Sequence, residues 1–290
     1  MDEHRHEFRV AKMCQVLGVS RSGYYEWKSR EQSEQKKRRA ALTQKVRFAF
    51  FQSDENYGSP KITRMLWAGG ERVSEKTVTR IMKAQGLRSK TVKKHKATTN
   101  SKHRLPIYPN LLNQQFQVDH PKQVWVADIT YIWTREGWVY LATVMDLFSR
   151  RIIGWHMSHR MTKELVITAL NRALAAVPPN PGIVHHSDRG SRYASKEYQA
   201  ILRANGMYTS MSRKGNCYDN ACIESFHGLI KRELIFQRSY ETREEAKQEI
   251  FEYLVHFYNA KRIHSACDYM SPLEFERQYY REQGGPYLSI

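Results

Sequence analysis

Residues 124–158, VWVADITYIWTREGWVYLATVMDLFSRRIIGWHMS, contain three β-rich segments, VWVADITYIWT, WVYLATVMDLF and RIIGWHMS. Glu136-Gly137 and Ser149-Arg150 separate them, so the stretch reads as an antiparallel meander joined by tight turns. Asp128 stands in the middle of the first segment among apolar neighbours. An unpaired carboxylate there costs several kcal/mol unless it meets a cation or a hydrogen-bond network. Downstream, Leu165, Val166, Ala169, Leu170, Ala173 and Leu174 give helical periodicity over 162–177, and PPNPG stops it. Then come a short strand, GIVHHSD, ending on Asp188, a helix over 195–205, a second short strand, MYTSMS, and a helix within RKGNCYDNACIESFHGLIKREL (213–234).

The order β-β-β-α-β-α-β-α is that of the ribonuclease H-like fold, an α/β class with a mixed sheet and helices on both faces. Past Leu234 the chain turns helical again: EEAKQEIFEYLVHFYNAKR reads as one amphipathic helix, and a shorter one follows Ser271-Pro272. The 41% hydrophobic and 12% aromatic content fits a folded, globular chain.

Upstream of the meander the character differs. AKMCQVLG and RSGYYEW read as a short helix pair about Val19-Ser20, either half of a helix-turn-helix or a small packed hairpin. Glu31–Arg39 is polar, a linker or exposed helix face, and an apolar-periodic helix runs from Ala40 through Leu42, Val46, Phe50 and Phe51. The helices expected over 60–68 and 74–85, with Gly69-Gly70 between them, have helix-turn-helix spacing. Lys76, Thr77, Thr79, Arg80 and Lys83 then share the exposed side of the second. From Lys76 to Val118 there are ten Lys or Arg and no Asp or Glu, including Lys93, Lys94 and Lys96, the pattern of a phosphate-tracking linker. The expected divisions are 1–39 N-terminal helical segment, 40–90 helix-turn-helix-like DNA-binding domain, 91–118 basic linker, 119–235 ribonuclease H-like core and 236–290 helical extension.

A formal charge of +18 and a pI near 9.8 ask for a polyanionic partner, with nucleic acid first. No apolar run approaches the roughly 20 residues of a spanning helix, and the polar start MDEHRHEFRV is no signal peptide. A cytoplasmic protein, held at the nucleoid through DNA, is the expectation. Cys14, Cys217, Cys222 and Cys267 make no CxxC pair and no zinc pattern, as for reduced cytosolic thiols.

Asp188 ends an apolar strand just before Arg189-Gly190, and Glu224 lies on the last helix of the core together with His227, Gly228 and Lys231. With the first strand central and the fourth beside it, Asp128, Asp188 and Glu224 converge. Three close carboxylates repel one another unless divalent metal neutralises them, and hard oxygen donors favour Mg²⁺, with Mn²⁺ as substitute. Two such ions suit in-line phosphoryl transfer. Asp146 and Asp219 are the rival carboxylates, read as closing a strand and, with Asn220 as the alternative, capping a helix, and His185 and His186 as core or supporting residues.

VWVADITYI, DLFSRRIIGW, HHSDRGSRYAS, SRKGNCYDNACIESFHGLIKREL and YNAKRIHSACDYMSPLEFE resemble, in order, the blocks of the retroviral-integrase-like DDE transposases. Within these the chain is similar to the OrfB product of bacterial insertion sequences of the IS-three type. Thirty-five residues separate Asp188 from Glu224, the D,D-35-E spacing, and Lys231 falls seven after the glutamate, where that family has Lys or Arg. AKMCQVLGVSRSGYYEW and NYGSPKITRML look like its N-terminal blocks. Cys267-Asp268 replaces the usual Leu-Gly, and Arg192 stands where Gln is common.

The resemblance implies a metal-dependent enzyme that nicks an element end and joins its 3′-hydroxyl to target DNA. Asp128, Asp188 and Glu224 would be its catalytic and metal-binding set, with Lys231 and Arg189 on DNA near the scissile phosphate and Lys76 and Arg80 on the terminal repeat. It also implies an upstream OrfA segment that supplies end recognition, without which this chain starts, and at least a dimer on DNA. A DNA-binding regulator with a dead core, or a general nuclease, are the rival expectations.

Overall fold

The computed structural model describes residues 1–90 and 105–284, in two units, Met1–Arg88 and Ser89–Ile290. In the first, α1 (Val10–Leu17) ends on Gly18, left-handed at φ 66°, and α2 (Arg21–Ser29) begins where Ser20 Oγ accepts from the Gly23 amide. α3 (Glu34–Gln52) starts ahead of the expected Ala40 because Ser33 caps it, which makes most of the polar 31–39 stretch an exposed helix face. α4 (Ser59–Ala68) carries Pro60 in its first turn, and Ser74 caps α5 (Glu75–Ala84). Val46, Phe50, Ile62, Leu66, Val78 and Ile81 are buried in this unit. Lys76, Thr79, Arg80 and Lys83 lie on the exposed side of α5, and Thr77 is half-buried, where it joins the Ser74 cap. Lys93, Lys94 and Lys96 lie outside the described residues.

The second unit is built on the sheet. β1 (Val124–Thr134), β2 (Gly137–Asp146) and β3 (Ile152–Ser158) form the antiparallel meander. α6 (Lys163–Ala176) leads to β4 (Val184–Ser187), which pairs parallel with β1. α7 (Lys196–Ala204) leads to β5 (Tyr208–Met211), parallel with β4, and the order β3-β2-β1-β4-β5 makes β1 central. Alternation along β1 sends Trp125 and Ala127 into one core with α6 and α7. Val124, Val126 and Ile132 go to the opposite core, under α8 (Ala221–Glu233) and α9 (Arg243–Glu252). The expected ribonuclease H-like α/β fold is the fold observed.

Specific packing details hold this frame. Gly154 in β3 admits α6, since a Cβ there would lie 2.4 Å from the Ala169 carbonyl oxygen. The Leu111 and Leu112 amides donate to Ser210 Oγ, which fastens the end of the basic stretch to β5. The single amphipathic helix expected after Leu234 is instead α9 followed by a π-helical turn, Tyr253–Asn259. The wider turn seats Leu254 and Tyr258 in the core and lets Asn259 clamp both backbone groups of Ile152 at 2.9 Å. Behind it, Arg262 makes a buried two-pronged pair with Glu233 at the end of α8 (2.7 and 2.8 Å), and Tyr253 adds a third bond. α10 (Pro272–Glu282), capped by Ser271, places Glu276 against Arg151. Among the described residues no helix is long and apolar enough to cross a membrane.

Candidate active site

The site begins where two strands part. β4 pairs with β1 only as far as Ala127↔Ser187, so Asp128 and Asp188 are each the next residue along, side by side at the end of the shared ladder. Burial pushes the Asp188 carboxyl up to about 7, and the Asp128 charge, then that of Glu224, push the same way. The Gly190 amide, 2.8 Å from Asp188 Oδ1, and the Arg192 guanidinium pull it down. Gly190 is required for that approach, because a Cβ would stand 2.9 Å from Oδ1. Arg192 itself is held by the Met161 carbonyl.

α8 brings the third acid. Asp219 does not cap it, contrary to the sequence reading. It is fully buried, accepts from the Arg213 amide and guanidinium and from Gln114 Nε2, and that guanidinium holds it well below the usual carboxylate range. Asn220 occupies the N-cap position without a side-chain cap bond and reaches the Ala127 carbonyl instead, beside Asp128. Glu224 follows on the exposed first turn. Desolvation against the surrounding protein raises its carboxyl, and the Asp128 charge raises it further. Two turns on, Lys231 lies 4.4 Å over the Tyr131 ring. Desolvation lowers its ammonium, and the Asp128 charge works against that shift.

The three acids are thus electrostatically linked, with two of them adjacent. Among the described residues, no group of three His, Cys, Asp or Glu is gathered closely enough to hold a metal. Arg189 donates through Nε to the Ser212 carbonyl, which bridges the loop after β4 to the end of β5. His185 and His186 are core residues: His185 meets the Tyr198 hydroxyl at 3.0 Å and His186 lies between Ser210 and Ser212, and burial lowers them to about 3 and about 4. Asp146 closes β2, accepting from the Lys122, Phe148 and Ser149 amides.

The helical spacing set His227 with Glu224, Gly228 and Lys231 on the face open to a charged polymer, and the structure turns it inward instead. It is buried, with Nδ1 3.3 Å from Asp128 Oδ2 and Nε2 2.9 Å from Thr143 Oγ1, on the strand partner of Asp128. Wedged between the Asp128 carboxylate and Thr143, whose hydroxyl also reaches the Asp128 carbonyl at 3.4 Å, the ring restricts how the Asp128 side chain can turn. Its position three residues after Glu224, beside buried Phe226, was the available signal.

The integrase core domain family matches residues 118–217, a second integrase core domain family matches 224–280, and an HTH-like domain family matches 37–95. The insertion element IS600 uncharacterized 31 kDa protein of Shigella sonnei is 45% identical over 269 residues, 93% of this chain and 99% of that protein. The transposase InsF for insertion sequence IS3A of Escherichia coli is 42% identical over 280 residues, 96% of this chain and 97% of its own. Among solved structures, the simian T-cell lymphotropic virus intasome in complex with PP2A regulatory subunit B56 gamma matches with TM-score 0.48 and 16% identity, over 85% of this chain and 76% of that chain.

Proposed function

The chain belongs to the insertion-sequence transposases of the IS3 kind, with an integrase core, and from that premise we propose that Asp128, Asp188 and Glu224 are its catalytic, metal-binding acids. The enzyme is a polynucleotidyl transferase that cleaves and joins DNA strands at the ends of an insertion element. The observation that carries the assignment is the Ala127↔Ser187 register, which sets Asp128 and Asp188 together at the end of the ladder with Asp188 pushed up to about 7.

Two mutually repelling aspartates and an exposed glutamate offer hard oxygen donors alone, a set that fits Mg²⁺, with Mn²⁺ as substitute. Two ions bound there would activate the attacking water or 3′-hydroxyl and stabilise the leaving oxygen. The chain's own residues have separable tasks. His227 and Gly190 orient the two aspartates, Glu224 has the exposure to complete the set, and Lys231 offers a cation beside it to the scissile phosphodiester. Arg189 supports the loop that carries Asp188 and presents its side chain to the same DNA.

Lys76 and Arg80, exposed on α5, contact the terminal repeat, and Lys93, Lys94 and Lys96 follow its backbone. In this reading the segments 1–39 and 40–90, with the 91–118 linker, grip DNA for the 119–235 core and its 236–290 extension. An upstream OrfA segment supplies end recognition, two or more chains assemble on DNA, and the protein works in the cytoplasm.

The test is a strand-transfer assay with Mg²⁺ on a labelled element terminus, for this chain and for a form carrying the OrfA segment. Joined product from the longer form, abolished by Asp188→Asn, is expected. A Glu224→Gln form that joins strands at the wild-type rate would overturn the assignment.

A further inference from the structure

Next to the acids the β1–β2 hairpin carries a row of aromatic rings that the core does not use. Tyr131 lies three residues past Asp128 on the same strand, with Lys231 over its ring at 4.4 Å. Trp138 meets Tyr131 edge to face at 5.3 Å between centroids, and Trp133, the strand partner of Trp138, follows at 4.8 Å. Tyr131 is half-buried, but Trp138 is 42% and Trp133 57% exposed, so the row leads outward from Lys231 into solvent. Tryptophans placed so at the end of a hairpin add little to the fold.

We propose that this row is a stacking platform for unpaired nucleobases of the DNA strand held at the acidic site. The proposal rests on the strand-transfer reading above and names the form of substrate that the site prefers. Charge and continuity favour it. The chain carries +18, and Lys231, at the inner end of the row, is drawn both by the Tyr131 ring and by the Asp128 charge. The cations at the hairpin tip are already engaged: Arg135 pairs with Glu241, and the Arg243 guanidinium donates to the Glu136 carbonyl while its backbone amide donates to the Glu136 carboxylate. What the tip offers a polyanion is therefore ring surface rather than a phosphate clamp, and every base has a face that stacks on an aromatic side chain. A strand splayed from its duplex at the element end would set its phosphate at Lys231 and its bases on Trp138 and Trp133.

The experiment uses the full chain and fluorescence anisotropy at fixed salt, with a short labelled single strand, an abasic strand of equal length and a blunt duplex. Wild type should bind the base-bearing strand more tightly than the abasic one. Trp133→Leu and Trp138→Leu, which keep an apolar side chain but cannot stack, should each lose about tenfold of that preference, while Trp133→Phe and Trp138→Phe retain most of it. Duplex affinity should not change. Equal binding of base-bearing and abasic strands by wild type, or full preference in both leucine forms, would overturn the proposal. So would a change of oligomeric state in the leucine forms with DNA binding untouched, which would make the row a protein interface. Asp188→Asn should keep the base preference while losing joined product. If it still joins strands, the acidic assignment fails and the platform is judged on binding alone.

Discussion

Replacing Asp188 by asparagine should stabilise the metal-free protein, and more so as pH rises. The carboxyl is held at about 7 in the fold against 3.8 for the free side chain, because burial and the Asp128 charge disfavour its anion. Between those values the folded state keeps a proton that the unfolded chain has released, so stability falls as pH climbs and the full cost is present above about pH 7. At about 1.4 kcal/mol per pH unit the whole effect has a ceiling of about 4 kcal/mol, of which roughly 2–3 kcal/mol sets in between about pH 5 and pH 8. The substituted side chain has no charge to bury, and its amide oxygen can still accept the Gly190 N–H that Asp188 Oδ1 accepts at 2.8 Å. Calorimetric melting without divalent metal should show the advantage of Asp188→Asn over wild type growing by about 4–12 °C between the two pH values, at roughly 2–4 °C per kcal/mol for a unit of this size. Adding Mg²⁺ should close the gap at the higher pH by stabilising wild type alone. Parallel pH profiles for the two forms would refute the reasoning, since they would mean that Asp188 is not crowded by its neighbours.

Three further outcomes follow from the same structure. Arg262→Ala should cost about 3–5 kcal/mol in urea unfolding, because it leaves Glu233 charged and buried at the end of α8; Arg262→Lys should recover only part, lacking the second prong. Gly154→Ala should cost about 3 kcal/mol or more by the same measurement, since the new methyl meets the Ala169 carbonyl oxygen at 2.4 Å and α6 must shift. Binding to a fixed duplex should weaken by roughly 10³–10⁵ between about 50 and 200 mM salt if six or more phosphates are contacted, and Arg80→Ala should lower the logarithmic slope by about one.

How much of this was legible in the sequence depended on the range of the interaction that decides each feature. The meander, the strand-helix alternation and the serine caps are local, and they stand where periodicity and turn residues put them. Asp128 and Asp188 were legible because a carboxylate inside, or at the end of, an apolar strand is a local anomaly. Asp219 was misread for the opposite reason. A single aspartate before a helix is usually a cap, and what removes it from that role is the arrival of Arg213 on one side and of Gln114, 105 residues away, on the other. His227 was hidden likewise, since its partner Thr143 sits on β2 and enters only once the register Asp128↔Thr143 is known. The π-helical turn at Tyr253–Asn259 has the composition of an ordinary helix and is set by Asn259 reaching the backbone of β3. The same division holds within the site. Two acids are delivered by adjacent strand ends, whose positions the sheet fixes, and the third, exposed, by the first turn of a helix whose start is tied down by the buried Asp219 carboxylate, paired with the half-exposed Arg213, and by Asn220. The two aspartates therefore stand where the sheet puts them, with the Asp128 charge pushing the Asp188 carboxyl up, whereas Glu224 is the member whose placement answers to α8, so changes in the Arg213–Asn220 segment should move Glu224 first.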